Sequence, residues 1–287
     1  MTASPPSSAV ERGRDLLVFS HANGFPAPTY RTLLAALDVQ FDVSHVGRFG
    51  HDPRYPVSRG WPGLVRQLRD HIDALPPTRR VWLVGHSMGG YLSLLSAAQS
   101  GDRVAGIVLL DSPLIAGLTG QLIKLGRRTG LDRHLLPLRQ TLQRRTHWPD
   151  VDAVTAHFAG KPGFVGWDAQ VLRDYAEHAT EGDPAGRRLW FDRDIEHLIY
   201  RTLPTRSVCC AAGRLQAPVA FVAGTQSREV RQIGLRATRR LVGARLQWVP
   251  GGHLFPMQRP VDTAEAIVSA IAGMDAAPGS PDARPPG

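Results

Sequence analysis

At 287 residues, 43% of them hydrophobic, the chain is long enough to bury a sizeable core, as one large domain with an insertion or as two smaller ones. No stretch approaches the roughly 18 apolar residues needed to cross a bilayer, so no membrane is expected among its partners. The net charge of +9 permits a polyanionic partner, yet no zinc-finger spacing or aromatic RNA-binding signature accompanies it, and no nucleic acid is expected either.

The opening MTASPPSSAVERGRD is rich in Pro and Ser and lacks the apolar run of a signal peptide, so residues 1–13 read as a disordered tail on a cytoplasmic protein. LLVFS (16–20) then reads as a buried strand, TYRTLLAALD as a short helix, FDVSHV as a second strand and WPGLVRQLRDHIDAL as an amphipathic helix. VWLVG (81–85), a helix after Ser87 and the strand VAGIVLLD (104–111) complete a block of alternating strands and helices. That rhythm predicts an α/β architecture, a mostly parallel sheet with helices on both faces.

After Pro113 the texture changes to Arg- and Leu-rich helical patterns broken by Gly and Pro, such as WDAQVLRDYAEHA and DIEHLIYRTL, with no run of buried strands. Its densest basic stretch, KLGRRTGLDRHLLPLRQTLQRR, sets Lys124, Arg127, Arg128, Arg133, Arg139, Arg144 and Arg145 against the single acid Asp132. Aliphatic residues recur there at helical spacing, so the charges read as a solvated helix face. Cys209 and Cys210 are adjacent, an arrangement that disfavours a relaxed disulfide, and read as free, buried thiols with no metal-site spacing. The strand rhythm returns with APVAFVAG (217–224), a helix from Glu229 to Val242, the strand ARLQWVP (244–250) and the helix VDTAEAIVSAIAGM. The expected organisation is a core in two parts, 14–112 and 216–273, interrupted by a helical insertion at 113–215 and followed by a second loose tail at 274–287.

Between the strand VWLVG and its helix, Gly85-His86-Ser87-Met88-Gly89 fits G-x-S-x-G, with glycines that allow the tight turn needed to project Ser87. In this strand-turn-helix setting the chain resembles the α/β-hydrolase superfamily, over nearly everything from Asp15 to Gly273. The resemblance implies an α/β-hydrolase fold with an inserted helical cap, and Ser87 as nucleophile. A serine hydroxyl needs a base. His253, in PGGHLFPMQRP between the last strand and the last helix, stands where the superfamily keeps its catalytic histidine, whereas His86 is trapped inside the elbow and His157, His178 and His197 fall in the insertion.

The acid is less direct. Most relatives carry an Asp shortly after the strand corresponding to VAFVAG, and here Ser227 stands at that place. Asp111, at the end of VAGIVLLD, is the preferred replacement, because some haloalkane dehalogenases of the same fold place the acid there; Glu229 is the alternative, two residues beyond the empty position. For the oxyanion, the resemblance implies the backbone N–H of Met88 and a second donor from HANGFPAPTY, similar to the family's His-Gly-x-Pro loop but with Ala22 for Gly and two extra residues before Pro26. Counting from His21 gives Asn23, the preferred donor; counting back from Pro26 gives Phe25.

The expected function is hydrolysis of a carboxylic ester or related acyl substrate through an acyl-enzyme, with a small-molecule partner and no cofactor or metal. Thioesters, lactones, amides and activated C–C bonds remain open, while a serine nucleophile argues against haloalkane and epoxide substrates. Trp148, Phe158, Phe164, Trp167, Trp190 and Tyr200 are available to line an apolar pocket or simply to pack the insertion. The absent Asp at 227 and the altered loop leave a second expectation, a non-catalytic ligand-binding or interaction module on the same fold. Oligomeric state has no signature in the sequence.

Overall fold

A computed structural model describes residues 13–117 and 138–276. Strands β1 (Leu16–Ser20), β2 (Asp42–His45), β3 (Val81–His86), β4 (Val104–Leu110), β8 (Val219–Gly224) and β9 (Leu246–Val249) form a six-stranded sheet in the order β2-β1-β3-β4-β8-β9. All five pairings are parallel.

The continuous apolar runs of the central strands follow from burial on both faces. One face carries Leu16, Val18, Leu83, Ile107, Leu109, Phe221 and Ala223, packed under helices α2 (Pro62–Asp73) and α3 (Met88–Ala97). The other carries Leu17, Phe19, Trp82, Val84, Val108, Leu110, Ala220 and Val222, packed against α1 (Arg31–Leu37) and the helix Pro260–Asp275. Alternate residues of each strand therefore serve two separate cores. Because β1 lies between β2 and β3, the chain reverses its direction of travel across the sheet there, and the helices after β1 and β3 pack on opposite faces.

Between β4 and β8 lie the helices Leu138–Leu142, Val151–Ala159, Ala169–His178, Arg193–Arg201 and Arg206–Ala212. Asp150, Asp168 and Asp192 cap three of them by accepting backbone N–H bonds in the first turn. The segment is not helical throughout. Strands β5 (His147–Trp148), β6 (Thr180–Asp183) and β7 (Gly186–Leu189) form a small antiparallel sheet in the order β5-β7-β6. Its sequence, TEGDPAGRRL, carries no hydrophobic alternation, which is why only helices were expected there.

Other expectations need correction. The helix expected at 229–242 is two helices, Arg228–Ile233 and Arg236–Val242, separated at Gly234, whose φ is +76°. Cys209 and Cys210 are free, but Cys209 is only half-buried and Cys210 is exposed. Of the basic stretch, Lys124, Arg127, Arg128, Asp132 and Arg133 lie outside the described residues, as do nearly all of the two expected tails. Arg144 is not on a solvated face: its guanidinium pairs with the buried Glu196 and donates to the Tyr175 hydroxyl. No helix among the described residues is long and apolar enough to cross a membrane.

The glycines of the elbow are fixed by contact. A Cβ on Gly89 would lie 1.9 Å from the Ser20 carbonyl oxygen, and one on Gly85 would lie 2.3 Å from the Gly89 carbonyl oxygen. No side-chain movement relieves a clash with backbone. Gly89→Ala is expected to destabilise the fold by about 1–3 kcal/mol or more, read as a lowered midpoint in urea unfolding; an unchanged midpoint would refute this packing.

Candidate active site

Two neighbouring strands end in strained residues. Ser87, directly after β3, has φ +53° and ψ −112°, and Asp111, directly after β4, has φ +46°. Such conformations cost of order 1–3 kcal/mol each for non-glycine residues and need surrounding bonds to hold them. Those bonds are present. The Ser87 N–H donates to the Leu110 carbonyl (2.9 Å), the Ser112 hydroxyl donates to the Ser87 carbonyl (2.9 Å), and the Asp111 N–H donates to the Val222 carbonyl (2.9 Å).

The side chains then converge. His253, between β9 and the helix Phe255–Gln258, places Nε2 3.0 Å from Ser87 Oγ and Nδ1 2.7 Å from Asp111 Oδ2. Asp111 is 1% exposed and its carboxylate is fully engaged: the Gly224 N–H donates to Oδ1 at 2.9 Å, and the Ser227 hydroxyl donates to Oδ2 at 2.5 Å. Glu229, the alternative acid, stands farther off, with Oε2 3.7 Å from His253 Nδ1 and a side chain 43% exposed. Burial by itself would press the His253 pKa down. The hydrogen bond and charge of Asp111, with the charge of Glu229, outweigh it and raise the pKa above the ordinary value.

Ser227 was identified in the sequence only by the absence of an acid. Its hydroxyl accepts from the Val230 N–H at 3.1 Å, capping the helix Arg228–Ile233, while its proton goes to Asp111. A serine at the usual acid position thus orients an acid supplied by the neighbouring strand. One oxygen of Asp111, one of Glu229 and a nitrogen of His253 lie within 4.8 Å of one another, the spacing of a possible cation site. Asp111 and His253 are already bonded to each other there, and Gly224 and Ser227 donate to the same carboxylate.

The loop after β1 runs beside the elbow, as the pairing of Ser20 with Gly85 requires. Met88 opens α3, so its N–H is among those a helix leaves without an internal partner. Of the two loop candidates, Phe25 already donates its N–H to the Ala22 carbonyl in a tight turn (3.1 Å). Asn23 is 4% exposed and is held by its side-chain Nδ2, which donates to the Glu196 carbonyl at 2.9 Å. The Phe25 ring enters an aromatic cluster of the insertion, with centroids 6.2 Å from Phe164, 5.8 Å from Trp167 and 5.7 Å from Tyr175. Trp148 and Phe158 are buried in the same region and pack against each other at 5.6 Å, Trp190 lies under Arg48 and Tyr200 is half-buried. His157, His178 and His197 belong to the insertion, and the last two bond to Arg31 and to the Leu138 carbonyl.

The fold and this convergence at a sheet edge define an α/β-hydrolase. The chain belongs to the alpha/beta hydrolase family, whose model matches residues 17–266. Human monoglyceride lipase is 35% identical over 107 residues, a match covering 35% of this chain and 35% of that protein, so the chain spans about a third of the relative it matches. Among solved structures, E-2-(acetamidomethylene)succinate hydrolase superposes with a TM-score of 0.73 at 23% identity, covering 91% of this chain and 92% of that one. The thioesterase domain from the curacin biosynthetic pathway gives 0.67 at 19% identity, covering 92% of each chain. At these identities the two structures share the fold.

Because both carboxylates favour the imidazolium, Asp111→Asn and Glu229→Gln should each lower the His253 pKa, Asp111→Asn by more. An NMR titration of the imidazole reads both; a larger effect from Glu229 would reverse the assignment of the acid.

Proposed function

We propose that the protein is a serine hydrolase that cleaves a carboxylic ester or related acyl substrate through an acyl-enzyme. The observation that carries this reading is the unbroken run from Asp111 Oδ2 to His253 Nδ1 (2.7 Å) and from His253 Nε2 to Ser87 Oγ (3.0 Å). Both separations are within hydrogen-bond reach, as proton transfer requires.

In the acylation step Ser87 Oγ attacks the substrate carbonyl carbon while its proton passes to His253 Nε2. The new imidazolium is stabilised by Asp111, which stays ionised and holds Nδ1–H. The carbonyl oxygen takes the electron pair and is met by the Met88 N–H at the start of α3, where the helix dipole favours negative charge, and by the Asn23 backbone N–H. Collapse of the tetrahedral adduct expels the alcohol, which takes the proton from Nε2. Water activated by the same imidazole then attacks the acyl-enzyme, releases the acid and restores Ser87.

The human monoglyceride lipase that the chain resembles over part of its length supports an ester as substrate. An apolar acyl group suits the aromatic cluster that Phe25 shares with Phe164 and Trp167 beside the proposed donors. The rival reading, a non-catalytic binding module, draws on the missing acid at 227 and on the altered loop; Asp111 against the imidazole answers the first of these and supports the catalytic reading. Two unpaired cysteines suit a reducing, cytoplasmic setting.

A fluorophosphonate probe is expected to label the protein covalently and Ser87→Ala not at all; a wild-type protein that fails to label overturns the reading. With p-nitrophenyl esters as substrates, Asp111→Asn should lower turnover on the order of 10⁴-fold, the scale seen when a catalytic Asp becomes Asn in a serine protease. Glu229→Gln should keep most of it, and the opposite pattern moves the role to Glu229.

A further inference from the structure

His86 is fully buried inside the elbow, and the steps above make no use of it. Both of its nitrogens are nevertheless engaged. Nδ1 lies 2.8 Å from the Tyr30 hydroxyl, and Nε2 lies 2.9 Å from the His253 carbonyl oxygen. The hydroxyl of Tyr30, a residue 1% exposed, is in turn 3.1 Å from the Ala22 backbone nitrogen.

The two ends of this chain fix its polarity. A backbone N–H can only donate and a carbonyl can only accept. The Ala22 N–H therefore donates to Tyr30, the Tyr30 O–H donates to His86 Nδ1, and His86 carries its single proton on Nε2 for the His253 carbonyl. Burial, reinforced by the neighbouring His253, holds the His86 pKa well below its ordinary value, so the ring stays in the neutral form that can both accept and donate.

Each contact belongs to a different functional loop. Ala22 precedes Asn23, whose N–H is the proposed oxyanion donor. His86 precedes Ser87, and the His253 carbonyl belongs to the same residue whose Nε2 faces Ser87 Oγ. We propose that Tyr30 and His86 are positioning residues, a one-way buried hydrogen-bond chain that sets the spacing of the oxyanion loop, the nucleophile elbow and the histidine loop around Ser87 Oγ. This rests on the serine-hydrolase reading, and it makes His86 a structural neighbour of the base rather than a second base. A polar chain with every member satisfied fixes one arrangement, whereas a break leaves a buried donor or acceptor unpaired and lets the loops shift. Displacements of about 1 Å at a reacting centre can cost on the order of 100-fold in rate.

The test compares Tyr30→Phe, His86→Leu, His86→Gln and the double variant Tyr30→Phe/His86→Leu on p-nitrophenyl butyrate, with melting temperatures measured in parallel. Tyr30→Phe and His86→Leu should lose about 10–100-fold in kcat with KM nearly unchanged. His86→Gln, whose amide retains a donor and an acceptor, should recover most of that loss. The double variant should be no worse than His86→Leu alone, because a chain broken once is already broken. Where His86→Leu does not fold, Tyr30→Phe, smaller by one oxygen, carries the same comparison. Wild-type kcat in the variants, or losses that appear in KM and are not recovered by Gln, overturn the proposal. Imidazole NMR supplies a readout independent of turnover: His86 should appear as the neutral Nε2–H tautomer at neutral pH, and an Nδ1–H tautomer or an imidazolium there overturns the chain. A wild-type protein inactive on every ester refutes the hydrolase reading instead, and the spectrum then decides whether the chain exists.

Discussion

Parallel pairing is the constraint from which the site follows. Every strand of the large sheet runs the same way, so the loops after β1, β3, β4, β8 and β9 all leave at one edge. Ser87 ends β3, Asp111 ends β4 and His253 follows β9, and the three meet although 166 residues separate Ser87 from His253. An antiparallel step anywhere among these strands would send one member to the opposite end of the molecule. The strands can serve as this platform because both faces are sealed by helices, leaving only the edge for chemistry.

At that edge, charge is concentrated where water is scarce. A buried carboxylate is costly unless each oxygen finds donors, and Asp111 receives one bond from Gly224 and two on its other oxygen, from Ser227 and His253. The same environment separates the two histidines that touch. His253, facing carboxylates, is biased toward its charged form, whereas His86, 5.1 Å away ring to ring, is held neutral by its burial and by the neighbouring His253. Their division of labour is set by neighbours, not by residue type.

The insertion reaches the same edge from outside. Glu196 and Arg144 pack so closely on the loop after β1 that a Cβ on Gly24 would lie 2.8 Å from the Glu196 carboxyl, and Asn23 is tied to the Glu196 carbonyl. Phe25 is embedded among the insertion's aromatic rings. The loop is thus held between the sheet below and the insertion above.

Periodicity and punctuation in the sequence were enough for the alternation of strands and helices, for a mostly parallel sheet and for the elbow at Ser87, because these depend on neighbours within a few residues. His253 and Asp111 were singled out through the resemblance to the α/β-hydrolases, from the places those proteins give to the histidine and, in some, to the acid. What the chain alone left open was decided by contacts between distant segments. The choice of Asp111 over Glu229 as the nearer carboxylate rests on 2.7 Å against 3.7 Å, a difference with no local signature. Ser227 read as a gap and proved to be a hydroxyl bonded across 116 residues to Asp111, and His86 read as a trapped residue and proved to have partners 56 and 167 residues away. Arg144 read as solvated and is paired with the buried Glu196, and the strands of the small sheet left no hydrophobic pattern to find. Local sequence determined the strands and helices of the large sheet and where Ser87 turns out of it; tertiary structure decided which polar groups meet, because hydrogen-bond partners are chosen by proximity in space and carry no periodicity along the chain.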